Sequence, residues 1–169
     1  GEEYEAARSK AEDLYMIYPE DANVILYMGE TSYYLGQYEE AVKYYDSHLE
    51  HVPESFLGRY GKADCLKHQK QYKAAKEILI QILDDYPYNN SVKQELSQVN
   101  ELIIEEYKEN VEAHPEDMEK KLELGWSCLQ NDKIEDGLAI LDSIQAEGAD
   151  AFSLQNLSGR LYMEHGEYE

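Results

Sequence analysis

Two histidines three residues apart, His48 and His51, are the first place to look for chemistry in this sequence. On a helix their rings could share a face, and paired imidazoles hold zinc when a third and a fourth donor converge on them. No such donor stands at ligand spacing. Glu50 lies between them but points elsewhere, and His48 fills a slot where a small packing side chain is usual. His68, His114 and His165 are isolated near expected helix ends. A core histidine is the better reading of His48, and no metal site is readable.

Carboxylates are the next candidates. Glu101, Glu105, Glu106, Glu109 and Glu112 follow one another closely, and paired carboxylates can move protons or hold cations when they are buried and converge. These five alternate with apolar residues in a pattern that puts them on the solvent side of a helix. The two cysteines, Cys65 and Cys128, are far apart and each sits in an apolar stretch, which reads as reduced core packing. No nucleophile elbow, phosphate-binding glycine loop or metalloprotease signature occurs. The expectation is a chain that is not an enzyme, with no catalytic residue, no metal ligand and no cofactor.

Charge narrows the partners. Fifteen basic against thirty-six acidic side chains give a net charge of −21. Such a chain repels phosphate backbones and anionic lipid, so neither nucleic acid nor a membrane surface is expected to bind it; a basic protein or peptide fits better. No apolar run approaches the roughly 20 residues of a membrane span. The start, Gly1-Glu2-Glu3-Tyr4, carries no signal region, and the expected compartment is the cytoplasm. Sixteen tyrosines against two phenylalanines and one tryptophan suit surfaces that are half packed and half wet.

A repeat must position these residues. Tyr4, Tyr38 and Tyr72 are 34 residues apart, and so are Ala7, Ala41 and Ala75, and Pro19, Pro53 and Pro87. Gly29 with Ala63, and Gly125 with Gly159, keep the same interval. Each class has a physical task. A small residue lets a partner helix approach closely, an aromatic just after a turn packs across a hairpin, and a proline ends a helix whose hydrogen-bond ladder it cannot continue. The segment Tyr33-Tyr-Leu-Gly-Gln-Tyr-Glu-Glu-Ala41-Val-Lys-Tyr-Tyr45 closely resembles the consensus of the tetratricopeptide-repeat family, and the resemblance covers nearly the whole chain.

The expected fold is therefore all-α: a tetratricopeptide-type solenoid of helical hairpins forming a right-handed superhelix, in one array over 1–169. Its parts are an orphan second helix in 1–21, full hairpins in 22–55 and 56–89, an irregular segment in 90–117, a hairpin in 118–151 and an orphan first helix in 152–169. In the irregular segment Pro87 and Pro115 are six residues short of the period, and Val92, Leu96, Val99, Ile103, Tyr107 and Val111 fall at helical spacing. Ser91 offers a cap, with Gln94 three residues on. The spacing predicts one long helix over about 91–112, the alternative being two short helices broken near Asn100. A fused helix would alter the path of the array and could split it into halves.

The resemblance implies a protein-interaction module whose first helices line the concave face. Carried over by position, that face holds Leu26, Glu30, Tyr33 and Tyr34, then Tyr60, Asp64 and Lys67, then Leu122, Trp126 and Leu129, and in the last helix Arg160. The aromatics among them could line a groove or could be ordinary hairpin packing. In relatives that grip acidic chaperone tails, Lys, Asn and Arg on successive first helices clamp two carboxylates. The matching positions here hold Leu26, Glu30 and Gly61, so that function does not carry over. Only the 56–89 hairpin is net basic, with six basic side chains against four acids; these either neutralise neighbouring repeats or dock an acidic segment. A structural alternative is head-to-tail self-association through the two orphan helices, whose expected open faces carry Ala7, Ala11 and Leu14 at one end and Leu157, Leu161 and Tyr162 at the other. The competing account is a fragment of a longer array.

Overall fold

The computed structural model describes residues 2–147, and every regular element among them is a helix. In order they are α1 (Glu2–Ile17), α2 (Ala22–Tyr34), α3 (Tyr38–His51), α4 (Phe56–His68), α5 (Tyr72–Asp85), α6 (Asn90–Ala113), α7 (Met118–Gln130) and α8 (Ile134–Ala146). The orphan first helix expected in 152–169 lies outside the described residues. Two compact units emerge, residues 1–99 and the residues from 100 onward, with α6 running from one into the other.

Local chemistry sets the helix starts. The first helices of the hairpins are capped by a side chain: Asp21 accepts from the Asn23 and Val24 amides, Ser55 from Gly58, and Asp117 from Glu119 and Lys120. Their second helices begin after Gln37, Gln71 and Lys133 without a side-chain cap. The turns between them are built alike. The amides of Gln37, Gln71 and Lys133 donate to the carbonyls of Ser32, Leu66 and Cys128 at 2.8–2.9 Å, each closing over one left-handed residue: Gly36 (φ 75°), Lys70 (φ 60°) or Asp132 (φ 59°).

That turn explains α6. Advancing 34 residues from Lys70 reaches Ile104, a β-branched side chain to which the left-handed conformation is closed. Ile104 is buried instead, and the helix continues for 24 residues. The predicted long helix is present. Its cap is Asn89, whose side chain accepts from the Val92 amide at 3.1 Å; Ser91, the expected cap, lies inside the helix. Val92, Val99, Ile103 and Tyr107 are buried as the spacing required, while Leu96 and Val111 are half-buried.

In residues 1–99 the core forms around Ala41, Tyr45 and Cys65. The Tyr45 ring is wedged between two glycines. A Cβ on Gly29 of α2 would lie 3.0 Å from it, and one on Gly61 of α4 only 2.4 Å. From residue 100 onward Leu122 and Ile144 lead the core, under Met118, Trp126, Ile140 and Leu141. The close approach there is at Gly137, where a Cβ would meet Leu129 at 2.6 Å and the Gly125 carbonyl at 2.9 Å, whereas at Gly125 the nearest atom is 3.4 Å away.

The open face expected on α1 is different in composition. Ala11 is fully buried and Ala7 half-buried, so that small-residue stripe is used in packing. Arg8 ties α1 down: its guanidinium pairs with Glu12 and Glu40 at 2.8 Å, bonds the Ser32 hydroxyl and lies over the Tyr44 ring. What α1 leaves open is Leu14, Met16, Ile17 and, just beyond it, Tyr18.

Candidate docking face

In residues 1–99 the first helices α2 and α4 lie side by side, and the N-terminal part of α6 joins them through charge. The Tyr33 hydroxyl of α2 donates to Asp64 Oδ2 of α4 at 2.5 Å. Lys67 Nζ lies 2.7 Å from Asp64 Oδ1 and also bonds the Glu95 carboxylate of α6. Both carboxylates and the ammonium are largely but not wholly covered. Burial, then the bond to Asp64, pushes the Tyr33 hydroxyl well above its ordinary pKa. Tyr60 shifts the same way, first by burial and then by the charges of Glu95 and Asp64. The Lys67 ammonium is held charged: its bonds to Asp64 and Glu95 outweigh the cost of burial.

Aromatic rings extend this surface. Tyr34 is more than half exposed, stacks on Tyr4 with centroids 4.8 Å apart and meets Tyr33 edge-on. His68 stacks flat on Tyr38 at 4.4 Å and approaches Asp64 at 4.0 Å. Tyr60 lies parallel to Phe56, and Leu57 at the start of α4 is more than half exposed. Leu26 packs against the Ala41–Tyr45–Cys65 core, and Glu30 is half-buried near Tyr45. Thus Tyr33, Asp64 and Lys67 come together with Glu95, Tyr34 meets Tyr33 at the edge of the group, Leu26 belongs to the core packing, and Tyr60 lies one turn before Asp64 on α4.

The described candidates from residue 100 onward are placed differently. Leu122 is fully buried, so it does not line an open face as the positions carried over had suggested, while Leu129 is half-buried and packs on Gly137 of α8. Trp126 is half-buried against Leu122 and Ile144. Arg160 lies outside the described residues. Sequence reasoning missed Glu95, because the irregular segment had no register from which to read it. Continuing the first-helix phase past Pro87 for two more turns would have found it.

The residues singled out for chemistry have structural partners. His48 is buried, its Nδ1 donating to the Ala22 carbonyl at 2.7 Å, and His51 Nδ1 donates to the Ser47 carbonyl. Burial pushes the Cys65 thiol up to about 12, with Asp64 adding to the shift, and burial raises Cys128 likewise, so neither is a ready nucleophile. Glu101, Glu105, Glu106, Glu109 and Glu112 all face solvent. Among the described residues no three His, Cys, Asp or Glu side chains converge on a metal position. Of the basic hairpin, Arg59 pairs with Asp85, Lys62 with Asp46, and Lys67 with Asp64 and Glu95, which favours neutralisation of neighbouring repeats over an anion dock. No described helix is long and apolar enough to cross a membrane.

Residues 33–94 match the tetratricopeptide repeat family. No curated protein matches the chain by sequence. Among solved structures, the chain is similar to MamA residues 41–end from Desulfovibrio magneticus RS-1, at 23% identity over 85% of this chain and 84% of that one, with a TM-score of 0.56. It is also similar to a tetratricopeptide repeat protein from Parabacteroides merdae ATCC 43184, at 18% identity over 92% and 63% of the two chains, TM-score 0.55. A third likeness, TM-score 0.50 and 14% identity, covers 87% of this chain and 23% of a chain in a structure of Naa15/Naa10 bound to HypK-THB.

Proposed function

We propose that this chain, whose residues 33–94 match the tetratricopeptide repeat family and which folds as an all-α helical repeat of the kind that serves as a protein-interaction scaffold, binds a peptide or partner helix along the first-helix face of residues 1–99. The carrying observation is that α2 and α4, which share the half-buried network of Tyr33, Asp64, Lys67 and Glu95, also present the open apolar side chains Tyr34 and Leu57. Aromatic anchors beside charged groups are the usual centre of a binding energy map. The net charge of −21 favours a basic partner, attracted in a salt-sensitive way.

Affinity capture from the native cell tests this with paired variants. A partner of this face is retained by the wild-type chain and lost by Tyr34→Ala combined with Leu57→Asp, while the helical circular dichroism signal stays unchanged. A partner that ignores both substitutions moves the site elsewhere. Trp126→Ala, measured alongside, asks whether the residues from 100 onward add a second contact; if they do, affinity falls by about 2 kcal/mol.

One observation favours a second reading, self-association through α1. Leu14, Met16, Ile17 and Tyr18 are all exposed, Met16 at 82%, and exposed apolar patches of this kind are adhesive. Light scattering over a wide concentration range decides it: a constant monomeric mass overturns self-association.

A further inference from the structure

We propose that Tyr4 and Tyr34 form a site of oxidative coupling, at which a one-electron oxidant of the peroxidase and peroxide class joins the two rings and staples α1 to α2.

Stacking sets this pair apart. The Tyr4 and Tyr34 rings have centroids 4.8 Å apart and lie within 8° of parallel. The other tyrosine pairs described, Tyr15–Tyr44, Tyr33–Tyr34 and Tyr33–Tyr38, meet at 84°, 78° and 62°. A parallel pair brings carbons of both rings together by a small slide, whereas an edge-on pair must first turn one ring through most of a right angle. Exposure is the second support. Tyr4 keeps 40% and Tyr34 57% of its surface, so an oxidant in solvent reaches both. Tyr45, in contrast, is buried, and the Tyr33 hydroxyl is engaged by Asp64.

The third support is the way the rings are held. One turn after Tyr4 on α1, Arg8 bonds the Ser32 hydroxyl of α2, two residues before Tyr34, and pairs with Glu40 of α3 at 2.8 Å. This anchor keeps α1 against α2 at the level of the rings, so a radical formed on one tyrosine has its partner beside it. Net charge acts in the same direction. At −21 two copies repel each other, which favours coupling within one chain over coupling between chains.

The step balances with the two phenols and one peroxide. Each phenol gives one electron to the oxidant and its hydroxyl proton to water, leaving two phenoxyl radicals. Their unpaired spin is shared with the ring carbons next to the oxygen, and one carbon–carbon bond forms between two such carbons. The hydrogen on each coupled carbon then leaves as a proton, and a proton returns to each oxygen. The chain has lost two hydrogens, and the peroxide has become two waters. The new bond closes the loop from residue 4 to residue 34, which removes conformations from the unfolded chain and favours the folded one.

The test treats the full chain at low concentration with hydrogen peroxide and a haem peroxidase, following dityrosine fluorescence and product mass. The expected product is a single chain lighter by two hydrogens, melting at a higher temperature than the untreated chain. Its tryptic map should join the peptide ending at Arg8, whose single tyrosine is Tyr4, to the peptide carrying Tyr34. Tyr4→Phe and Tyr34→Phe keep a ring in place but remove the phenol. Each should abolish this product while the helical circular dichroism signal stays unchanged. Tyr88→Phe removes a tyrosine that is 89% exposed and should leave the yield as it was. A single-chain product that survives Tyr4→Phe, or that is lost in Tyr88→Phe, overturns the proposal. So does dityrosine found only between two chains, or none at all.

Discussion

The α2–α3–α4 packing and the α7–α8 packing follow one plan with different fillers. In the first, a single tyrosine, Tyr45, is seated between glycines on two successive first helices. In the second, aliphatic side chains, Ile140 and Leu141, reach Gly125 at ordinary contact distance, and the close approach has moved to the second helix at Gly137. The difference teaches where rigidity is built. A planar ring locked between two backbones fixes the spacing of α2 and α4, and it is across that pair of helices that Tyr33 meets Asp64. Among the described residues the aliphatic packing joins α7 to α8. A surface that must hold several groups in register belongs on the tyrosine-wedged side.

Removing the wedge should have the largest effect. Tyr45 is 3% exposed, and Tyr45→Ala should cost about 3–5 kcal/mol, the range for deleting a buried aromatic ring. Chemical denaturation followed by circular dichroism measures it. A loss below about 1 kcal/mol would mean the ring is not what holds α2 and α4 apart.

The glycines sharpen the contrast at a smaller scale. Gly61→Ala pushes a methyl to 2.4 Å from the Tyr45 ring and should destabilise by about 1–3 kcal/mol through overpacking. Gly137→Ala meets backbone at 2.9 Å and should fall in the same range. Gly125→Ala meets nothing closer than 3.4 Å, so the helical preference of alanine over glycine, up to about 1 kcal/mol, should dominate and leave it neutral or stabilised. If Gly61→Ala and Gly125→Ala behave alike, the two packings do not differ as described.

Alkaline titration probes the tyrosine-wedged unit directly. Tyr33, Tyr44, Tyr45 and Tyr60 all have raised pKa values, with burial as the first cause in each, and all lie in residues 1–99. A raised tyrosine favours the folded state fully below the ordinary value of about 10 and loses that contribution as pH rises from there through the folded value. Residues 1–99 should therefore lose helicity as pH rises above about 10. Tyr33→Phe removes one titrating group and should move that loss to higher pH. An alkaline limit that Tyr33→Phe leaves unchanged would show that this tyrosine does not set it.

The 34-residue recurrence of Tyr38 and Tyr72, Ala41 and Ala75, and Pro53 and Pro87 made the hairpins legible because each class has one physical task in a hairpin. The six-residue deficit made α6 legible too. The face was less so. Positions carried over from the resemblance treat every first helix alike, yet Leu122 is fully buried while Asp64 and Lys67 remain partly exposed. Which outcome holds depends on the size of the residue opposite, Gly137 against Leu129 or Gly61 against Tyr45, and periodicity carries no volume. Glu95 was hidden for a related reason: its partner is set by the neighbouring helix, not by the repeat of its own segment.

The turns give the smallest expected effects and the most direct test of why the array changes at α6. Gly36, Lys70 and Asp132 hold the same left-handed position, and no atom lies within 4 Å of a Cβ on Gly36. Gly36→Ala therefore pays only the conformational penalty, about 1 kcal/mol. Lys70→Gly removes that penalty but gives glycine's extra freedom back to the unfolded chain, so the net gain should be about 0.5 kcal/mol. Asp132→Gly should gain less, since aspartate tolerates the left-handed region better than lysine. Ile104→Gly supplies the turn residue that α6 lacks, but it also empties a site that is 1% exposed, so it should destabilise by more than any of these changes gain. Melting curves of the four variants in one buffer rank them. A stabilised Ile104→Gly would overturn the account, because it would mean the long helix is imposed by something other than the residue standing at the turn.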